Sequence, residues 1–388
     1  SEKVWNSTFE VELSMINGAK QSIEISALYW TLLCEDVLQQ RVGGCEKGEA
    51  ILKALLNAAR RNVTIRIATN YNKQNMSSSA DLQMLHSAGA ELRFVDFTRL
   101  VGAGVLHTKF IIADNRTFYI GSSNMDWRSL TQVKELGVFV ADCPLLARDL
   151  HKIFQVYWIL GNASAKIPEK WPDYLATNIN VENPLSLDLG VNPASVYISS
   201  SPKQFNPTNR TNDIDALLNV INSAKKFIYI SVMDYSPVFL YQQPNKYWPV
   251  IDDALKRVVI EKGVKVKILA SNWKYTRKNM FVYLNSLNAF YRYRYGGRID
   301  VKIFTVPPLP NIEIPFARVN HNKYMVTDEH AFIGTSNWSA DYFVNTGGVS
   351  FIVKNGFTNK NDIRSQLEQL FLRDWNSNYT SYANKHDS

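Results

Sequence analysis

The sequence predicts an α/β fold of two similar lobes, mixed sheets flanked by helices. Three observations carry this. Apolar strand-like runs alternate with amphipathic helical stretches along the chain. The second half replays the first at offsets of 201 to 217 residues, the mark of one duplicated unit. A chemically dense stretch, LHTKFIIADNRTFYIGSSN at 106–124, returns as NHNKYMVTDEHAFIGTSN at 320–337.

Taken in order, residues 9–19 read as a helix and SIEISALYW at 22–30 as an apolar strand. A loop with Gly43 and Gly44 precedes the amphipathic GEAILKALLNAARR at 48–61, and VTIRIAT at 63–69 has strand character. A helix near 79–89 ends at Gly89, a strand follows near 91–96, and the dense stretch reads as two short strands joined by a turn. AKQSIEIS at 19–26 answers to AKKFIYIS at 224–231, RNVTIRIATN at 61–70 to KGVKVKILAS at 262–271, and IFQVYW at 153–158 to LFLRDW at 370–375. Between the copies, residues 161–195 hold four prolines and little periodicity, as a connecting segment would. The lobes therefore span 1–160 and 196–388.

Bulk properties restrict the function classes. With 388 residues and 46% hydrophobic content the chain can fill two ordinary cores, and it has no apolar run of membrane-spanning length. SEKVWNSTFE at 1–10 is neither a signal nor a transit sequence, and no Met precedes it, so any leader or membrane anchor is expected outside these residues. A net charge of +8 suits a polyanionic partner, nucleic acid or acidic lipid, although it also serves plain solubility. Three cysteines are too few for a disulfide scaffold. Cys34 and Cys45, flanking a Gly-Gly turn, are the candidate pair, and Cys143 is left over. Eight Asn-X-Ser/Thr sequons occur, at Asn6, Asn62, Asn75, Asn115, Asn162, Asn209, Asn337 and Asn378; Asn337 lies inside the repeated motif and is expected to stay bare.

Within the first copy His107 and Lys109 are two residues apart, so on a strand both point to one face. Asp114, Gly121, Ser122 and Asn124 complete the pattern. His321, Lys323, Asp328, Gly334, Thr335 and Asn337 repeat it, with one residue fewer between Asp328 and Gly334. A lone His-X-Lys says little; the matched pair is informative. Asp114 and Asp328 sit where an apolar strand meets a turn, and Asp closes such turns through its own backbone, so both read as structural. His86, His151, His330 and His386 have no matched partner and read as ordinary residues. NWKYTRK at 272–278 and FYRYRYGG at 290–297 could stack on bases, but such patterns more often mark solvated helix faces with buried tyrosines.

These paired motifs resemble the phospholipase D superfamily, whose mark is His-X-Lys, four residues, Asp, then Gly-Ser/Thr-X-Asn, in duplicate. GVLHTKF, GSSNMDWRSLTQVKELGV, RVNHNKYMVTD and IGTSNWS are similar to its animal endolysosomal branch of single-strand 5′ exonucleases, runs that poxviral homologues share. The likeness covers nearly the whole chain and is weakest in the loops at 34–48, 70–80 and 272–312.

The resemblance implies one active site between the lobes, built from His107, Lys109, Asn124, Glu135, His321, Lys323 and Asn337; Ser122 and Thr335 are candidate substrate contacts, with packing of the turn as the equal alternative. One imidazole attacks phosphorus and the other protonates the leaving oxygen, through a phosphohistidine. Lysines and amides stand where a metal phosphodiesterase would place carboxylates, so neither metal nor cofactor is expected. The implied activity is 5′ to 3′ exonuclease action on single-stranded DNA and RNA, releasing 3′-phosphomononucleotides in an acidic compartment. A phospholipase D-type lipid phosphodiesterase or transphosphatidylase is the alternative, and anionic phospholipid and a homodimer are left open as partners. The endolysosomal lumen or secretory pathway, with glycosylation, is the expected setting. Glu135 stands twenty-eight residues after His107, where superfamily members carry an acid that grips the histidine; the same offset from His321 reaches Val349. His107 is therefore expected as nucleophile and His321 as general acid.

Overall fold

The computed structural model describes residues 5–73, 79–189, 192–242, 244–292, 296–355 and 362–383. The sequon at Asn75, His386 and much of the 290–297 stretch lie outside them.

In the first lobe β1 (Ser22–Ala27), β2 (Thr64–Asn70), β3 (Glu91–Val95), β4 (Phe110–Ala113), β5 (Thr117–Gly121) and β6 (Gly137–Val140) form one sheet in the order β3-β2-β1-β4-β5-β6. The β1–β2 and β2–β3 pairings are parallel and those from β1 through β4 and β5 to β6 antiparallel. The second lobe adds β7 (Leu185–Leu189), β8 (Asn192–Ser201), β9 (Phe227–Val232), β10 (Lys265–Asn272), β11 (Arg298–Thr305), β12 (Lys323–Thr327), β13 (His330–Gly334), β14 (Gly348–Asn355) and β15 (Thr380–Tyr382), in the order β15-β11-β10-β9-β12-β13-β14-β8-β7. Its strands β11-β10-β9-β12-β13-β14 repeat the first sheet's order and directions. The expected duplication is thus a duplicated mixed sheet.

The apolar half of each motif has a simple cause. Strands β4 and β12 are central, and every residue in both is buried, so both faces must be apolar or internally satisfied. Helices α1 (Thr8–Gly18), α2 (Cys45–Arg60), α3 (Trp127–Thr131) and α4 (Pro144–Leu160) belong to the first lobe, and α5 (Asp213–Ser223), α6 (Ala340–Val344) and α7 (Ile363–Trp375) to the second. The largest core draws on both lobes: Phe110, Ile120 and Tyr157 share it with Tyr324, Val349 and Phe351, and the Phe118 and Phe351 rings lie 6.2 Å apart. A buried fork also crosses the lobes, Arg210 Nη1 donating to Asp149 Oδ2 at 2.6 Å and Nη2 to Oδ1 at 2.9 Å. Removing one partner of such a pair costs about 3–5 kcal/mol, because it strands a buried charge.

Two expectations change. The run at 22–30 is not one strand: β1 stops at Ala27, and a bend lets the Tyr29 hydroxyl donate to Asp126 at 2.8 Å before Trp30–Thr31 pairs with Met125–Asp126. The segment 161–195 is not wholly connector, since β7 and β8 form a hairpin that extends the second sheet. Alternation at Leu185, Leu187 and Leu189 was too short a pattern to stand out between prolines. Cys34 and Cys45 are bridged, with Cα atoms 5.5 Å apart, and Cys143 is free. No helix among the described residues is long and apolar enough to cross a membrane.

Candidate active site

Each histidine is carried by a segment stitched into the opposite lobe. Leu106 pairs with Gly347, the His107 N–H donates to the Gly347 carbonyl at 2.9 Å, and the Gly347 N–H donates to Val105 at 2.9 Å. The mirror image holds for the other: Asn320 pairs with Lys134, His321 N–H donates to the Lys134 carbonyl at 2.8 Å, and Lys134 N–H to Val319 at 2.9 Å. The Lys134 ammonium also meets Asp374 at 2.6 Å. This reciprocal exchange brings the two motifs face to face.

The side chains follow the same near-symmetry. Lys109 Nζ donates to the His107 carbonyl and Lys323 Nζ to the His321 carbonyl, each at 2.7 Å. Asn124 Nδ2 reaches the Tyr29 hydroxyl at 3.4 Å; Asn337 Nδ2 reaches the Tyr342 hydroxyl at 3.2 Å and Asp234 Oδ2 at 3.4 Å. Both lysines and both asparagines are buried, and the Oδ1 of each asparagine has no partner among the described residues. Burial, with the positive charge of Lys323 beside it, holds the Lys109 ammonium well below the usual lysine range; burial brings Lys323 down to about 7, against the pull of Glu135 and Asp234. Two desolvated cations facing each other make an anion trap: a phosphodiester between them would relieve the strain that each imposes on the other.

Glu135 is in the site, but on the other histidine. Its carboxylate accepts from His321 Nδ1, at 2.9 Å to Oε2 and 3.1 Å to Oε1, instead of holding His107. The cause is the exchange just described: His321 is strapped to Lys134, so the next side chain along that segment faces His321. Nor is Val349 the counterpart of Glu135. Leu136 accepts from the Ser122 N–H as Val349 accepts from the Thr335 N–H, at 3.0 and 3.1 Å, which makes Gly348 equivalent to Glu135 because the second motif is one residue shorter. A Cβ on Gly348 would lie 2.3 Å from Ser336 Oγ and 2.8 Å from Ser201 Oγ, so there is no room for a carboxylate. His107 Nδ1 has no hydrogen-bond partner among the described residues; the Tyr342 ring stands edge-on to it, centroids 4.9 Å apart.

Of the two roles open to Ser122 and Thr335, the structure shows the packing one. Both are fully buried. Ser122 donates to Glu135 and accepts the Leu136 N–H at 3.0 Å, and Thr335 accepts the Val349 N–H at 3.0 Å. Their hydroxyls tie the motif to the next strand, and in the first lobe they also steady the carboxylate. The carboxylates of Asp114 and Asp328 bond to backbone amides of other segments, not of their own turns. Asp114 accepts from the N–H groups of Lys20, Gln21 and Ser22 at 2.7–2.9 Å, and Asp328 from Lys225, Lys226 and Phe227 at 3.0–3.4 Å, pinning the start of β1 and β9. Burial opposes the Asp114 charge, yet those amides hold its carboxyl below the usual range.

Burial, then Lys109, Lys323 and His321, hold the His107 imidazole well below its ordinary range. Burial also lowers His321, partly offset by Glu135. Burial would raise Glu135, but His321, Lys323 and Ser122 together bring it below the usual carboxylate range, so it is ionised. His151 pairs with buried Glu24 at 2.6 Å, and His330, inside the second motif stretch, with Ser223 at 3.1 Å; neither bonds to a catalytic candidate. No group of three or more His, Cys, Asp or Glu comes together to hold a metal among the described residues. Sequence reasoning missed Tyr29, Asp126, Arg128, Asp234 and Tyr342, which support the two asparagines. The signal lay in the repeat, since Tyr29 and Asp234 occupy matching places after β1 and β9.

Comparison with known proteins bears on this geometry. Residues 3–308 match a family model described as "PLD3/4, PLD-like domain". The chain is 47% identical over 377 residues to a Xenopus laevis protein named "5'-3' exonuclease PLD3", covering 96% of this chain and 76% of the relative. It is 46% identical to the Homo sapiens protein of that name, over 96% and 76%, and 43% identical to the Mus musculus "5'-3' exonuclease PLD4", over 95% and 73%. Among solved structures, phosphatidylserine synthase of Haemophilus influenzae superposes with a TM-score of 0.63 at 13% identity, covering 99% of this chain and 88% of that one. That likeness concerns the fold.

Proposed function

The chain belongs to the PLD3/4 family of PLD-like domains, within the phospholipase D superfamily, and from that premise we propose that it is a 5′ to 3′ exonuclease on single-stranded DNA and RNA. The observation that supports this most is the facing pair of His-Lys-Asn sets with a single carboxylate, Glu135, on His321. Glu135 fixes the His321 proton on Nδ1 and leaves Nε2 with a free lone pair. His321 then attacks phosphorus, Glu135 stabilises the cationic phosphohistidine, and His107 protonates the departing 5′ oxygen of the next nucleotide. Water, deprotonated by His107, attacks the phosphohistidine, freeing a 3′-phosphomononucleotide and restoring both rings. Lys109, Lys323, Asn124 and Asn337 hold the nonbridging oxygens as charge moves onto them. The roles of the two histidines are thus the reverse of those expected from the twenty-eight-residue offset.

His107 is held neutral in the free protein by burial and two lysines. A bound phosphodiester offsets both cations and lets the ring take up a proton, which acidic surroundings favour. The Cys34–Cys45 bridge and exposed sequon residues Asn6, Asn62, Asn162, Asn209 and Asn378 support a luminal, endolysosomal setting, while Asn337 is buried. Purified protein is to be incubated at about pH 5 with 5′-hydroxyl single-stranded oligonucleotides and, separately, with phosphatidylglycerol and an alcohol acceptor. Stepwise loss from the 5′ end with release of 3′-phosphomononucleotides is expected. Intact oligonucleotides beside rapid lipid turnover would transfer the site to the lipid reaction.

A further inference from the structure

Beyond the phosphate-binding centre, a row of exposed rings leads away from Asn337. The loop after β10 carries Trp273, Tyr275 and Arg277. The Tyr275 ring stacks on Phe316 with centroids 4.5 Å apart and planes 16° from parallel, and Trp273 packs edge-on against Tyr275 at 4.8 Å. On the other side of the loop the Arg277 guanidinium lies over the Tyr241 ring, 5.0 Å from its centroid. The Tyr241 hydroxyl is 3.5 Å from that of Tyr342, which accepts from Asn337. The row is therefore continuous with the catalytic amide.

Its rings are held outward at a cost. Phe316 adopts φ 55°, a left-handed conformation that a bulky residue rarely takes, and is 56% exposed. Its neighbours Ile314 and Ala317 are buried against the Cys34–Cys45 bridge and Trp127, while the Pro315 carbonyl accepts from Arg128 at 2.7 Å. Arg128 in turn forks onto Asp126, the partner of Tyr29 beneath Asn124. Surroundings fixed this tightly from both sides sustain a strained conformation. Tyr241 is 61% exposed and Tyr275 41%. A groove of about 610 Å³ runs beside Phe316, Tyr275, Trp273 and Arg318. Lys274, in the same loop, is paired with Glu313, while Arg277 brings a guanidinium to the row and donates to the Leu240 carbonyl at 3.3 Å.

We propose that Phe316, Tyr275, Arg277 and Tyr241 form a stacking track for successive bases of the single strand whose scissile phosphate lies between His107 and His321; this rests on the exonuclease reading above. Every base has a π face, so aromatic and guanidinium planes hold a strand without selecting its sequence. A paired base in a duplex has both faces occupied by its neighbours and cannot lie on such rings. The track thus supplies a preference for single strands that the symmetric phosphate centre cannot supply by itself.

The readout is the ratio of KM for a strand carrying abasic sites at its first positions to KM for the same strand with bases. Loss of one stacked base is worth roughly 5- to 150-fold. The wild-type ratio should be large, and Tyr241→Ser, Tyr275→Ser and Phe316→Ser should each shrink it several-fold. Tyr241→Phe and Phe316→Tyr, which keep a ring, should retain it. A 2-aminopurine placed at those positions should be quenched on binding to the wild type and less so in the Ser variants. An active wild-type enzyme whose ratio is near one, or Ser variants that all keep the wild-type ratio, overturns the track alone. An enzyme inert on every oligonucleotide overturns the exonuclease reading, and the track with it.

Discussion

The two motif copies share their histidine, lysine, aspartate and asparagine, yet they differ in what lies behind them. In the first lobe the residue after the strap to His321 is Glu135; in the second the matching residue after the strap to His107 is Gly348, packed against Ser336 and Ser201. One imidazole is gripped by an ionised carboxylate and the other is left with an unpartnered Nδ1. Duplication supplies two equal phosphate holders. A single substitution at one matched position then divides their labour.

The largest test of that division is its direction. Alanine at either histidine should abolish turnover on oligonucleotides, but with a substrate bearing a good leaving group His107→Ala should accumulate phosphoenzyme on His321, while His321→Ala should show none. Acid-quenched gels with labelled substrate read this directly, and a label on His107 would restore the opposite assignment.

Next in size is the carboxylate. Glu135→Gln keeps the shape but loses the charge and permits the wrong tautomer, so kcat should fall by about 10²–10⁴. Asp213, whose Oδ2 lies 3.6 Å from where a Gly348 Cβ would stand, is the nearest acid on the other side; it is buried, bonded to Ser199, and raised to about 6 by burial. Asp213→Asn should leave kcat within about tenfold. Equal losses in the two variants would erase the asymmetry between the lobes.

A smaller effect separates the lysines. Lys323, lowered to about 7, is charged below that pH and neutral above it in the free protein. KM for oligonucleotides should therefore rise as pH passes through 7, in addition to the fall in kcat as His107 loses its proton. Lys323→Arg, which stays charged, should move the KM limb to higher pH if its planar head is tolerated. A KM flat from pH 5 to 9 would show that Lys323 does not hold the phosphate by charge.

The last concerns a buried acid that the first lobe has and the second lacks. Glu12 in α1 is raised from 4.5 to about 8 by burial and by Glu135, whereas the matching place in α5 is Leu217, a core residue. The folded protein keeps Glu12 protonated where the unfolded chain has ionised it. Stability is thus retained below pH 4.5 and lost as pH rises toward 8. Glu12→Gln should raise Tm at pH 8, by an amount equivalent to a few kcal/mol at most, with the gain vanishing near pH 4.5. A gain of equal size at both pH values would mean that packing, not the proton, sets the difference.

Much of this was legible in the chain because it was written twice. His107 and His321 are uninformative alone, and their matched Lys and Asn partners disclosed both the lobes and the phosphate centre. What stayed hidden was set by pairings across the repeat. Offsets along the chain locate Glu135 but not the histidine it faces, because that depends on which lobe's segment straps to which. Ser122 and Thr335 look like phosphate ligands until their hydroxyls are seen taken up by backbone amides. Trp273 and Tyr275 fell in a stretch read as a solvated face, and Phe316 and Tyr241 gave no signal. The exposure of Phe316 follows from a left-handed φ and from the burial of Ile314 and Ala317, neither of which has a period in sequence.

Glu135 and His321 are separated by 186 residues of sequence, and their contact closes only when both straps are seated. Local helices and the parallel β1–β2–β3 and β9–β10–β11 units can assemble within each half of the chain, whereas the straps join residues far apart in sequence and carry a large loop-closure cost. Catalytic geometry is therefore among the last features to form when the chain folds and the first to be lost when the halves part. If His321 is the nucleophile, as proposed, it is oriented only by completion of the fold, and a half-made molecule, however much secondary structure it holds, should carry no hydrolytic activity.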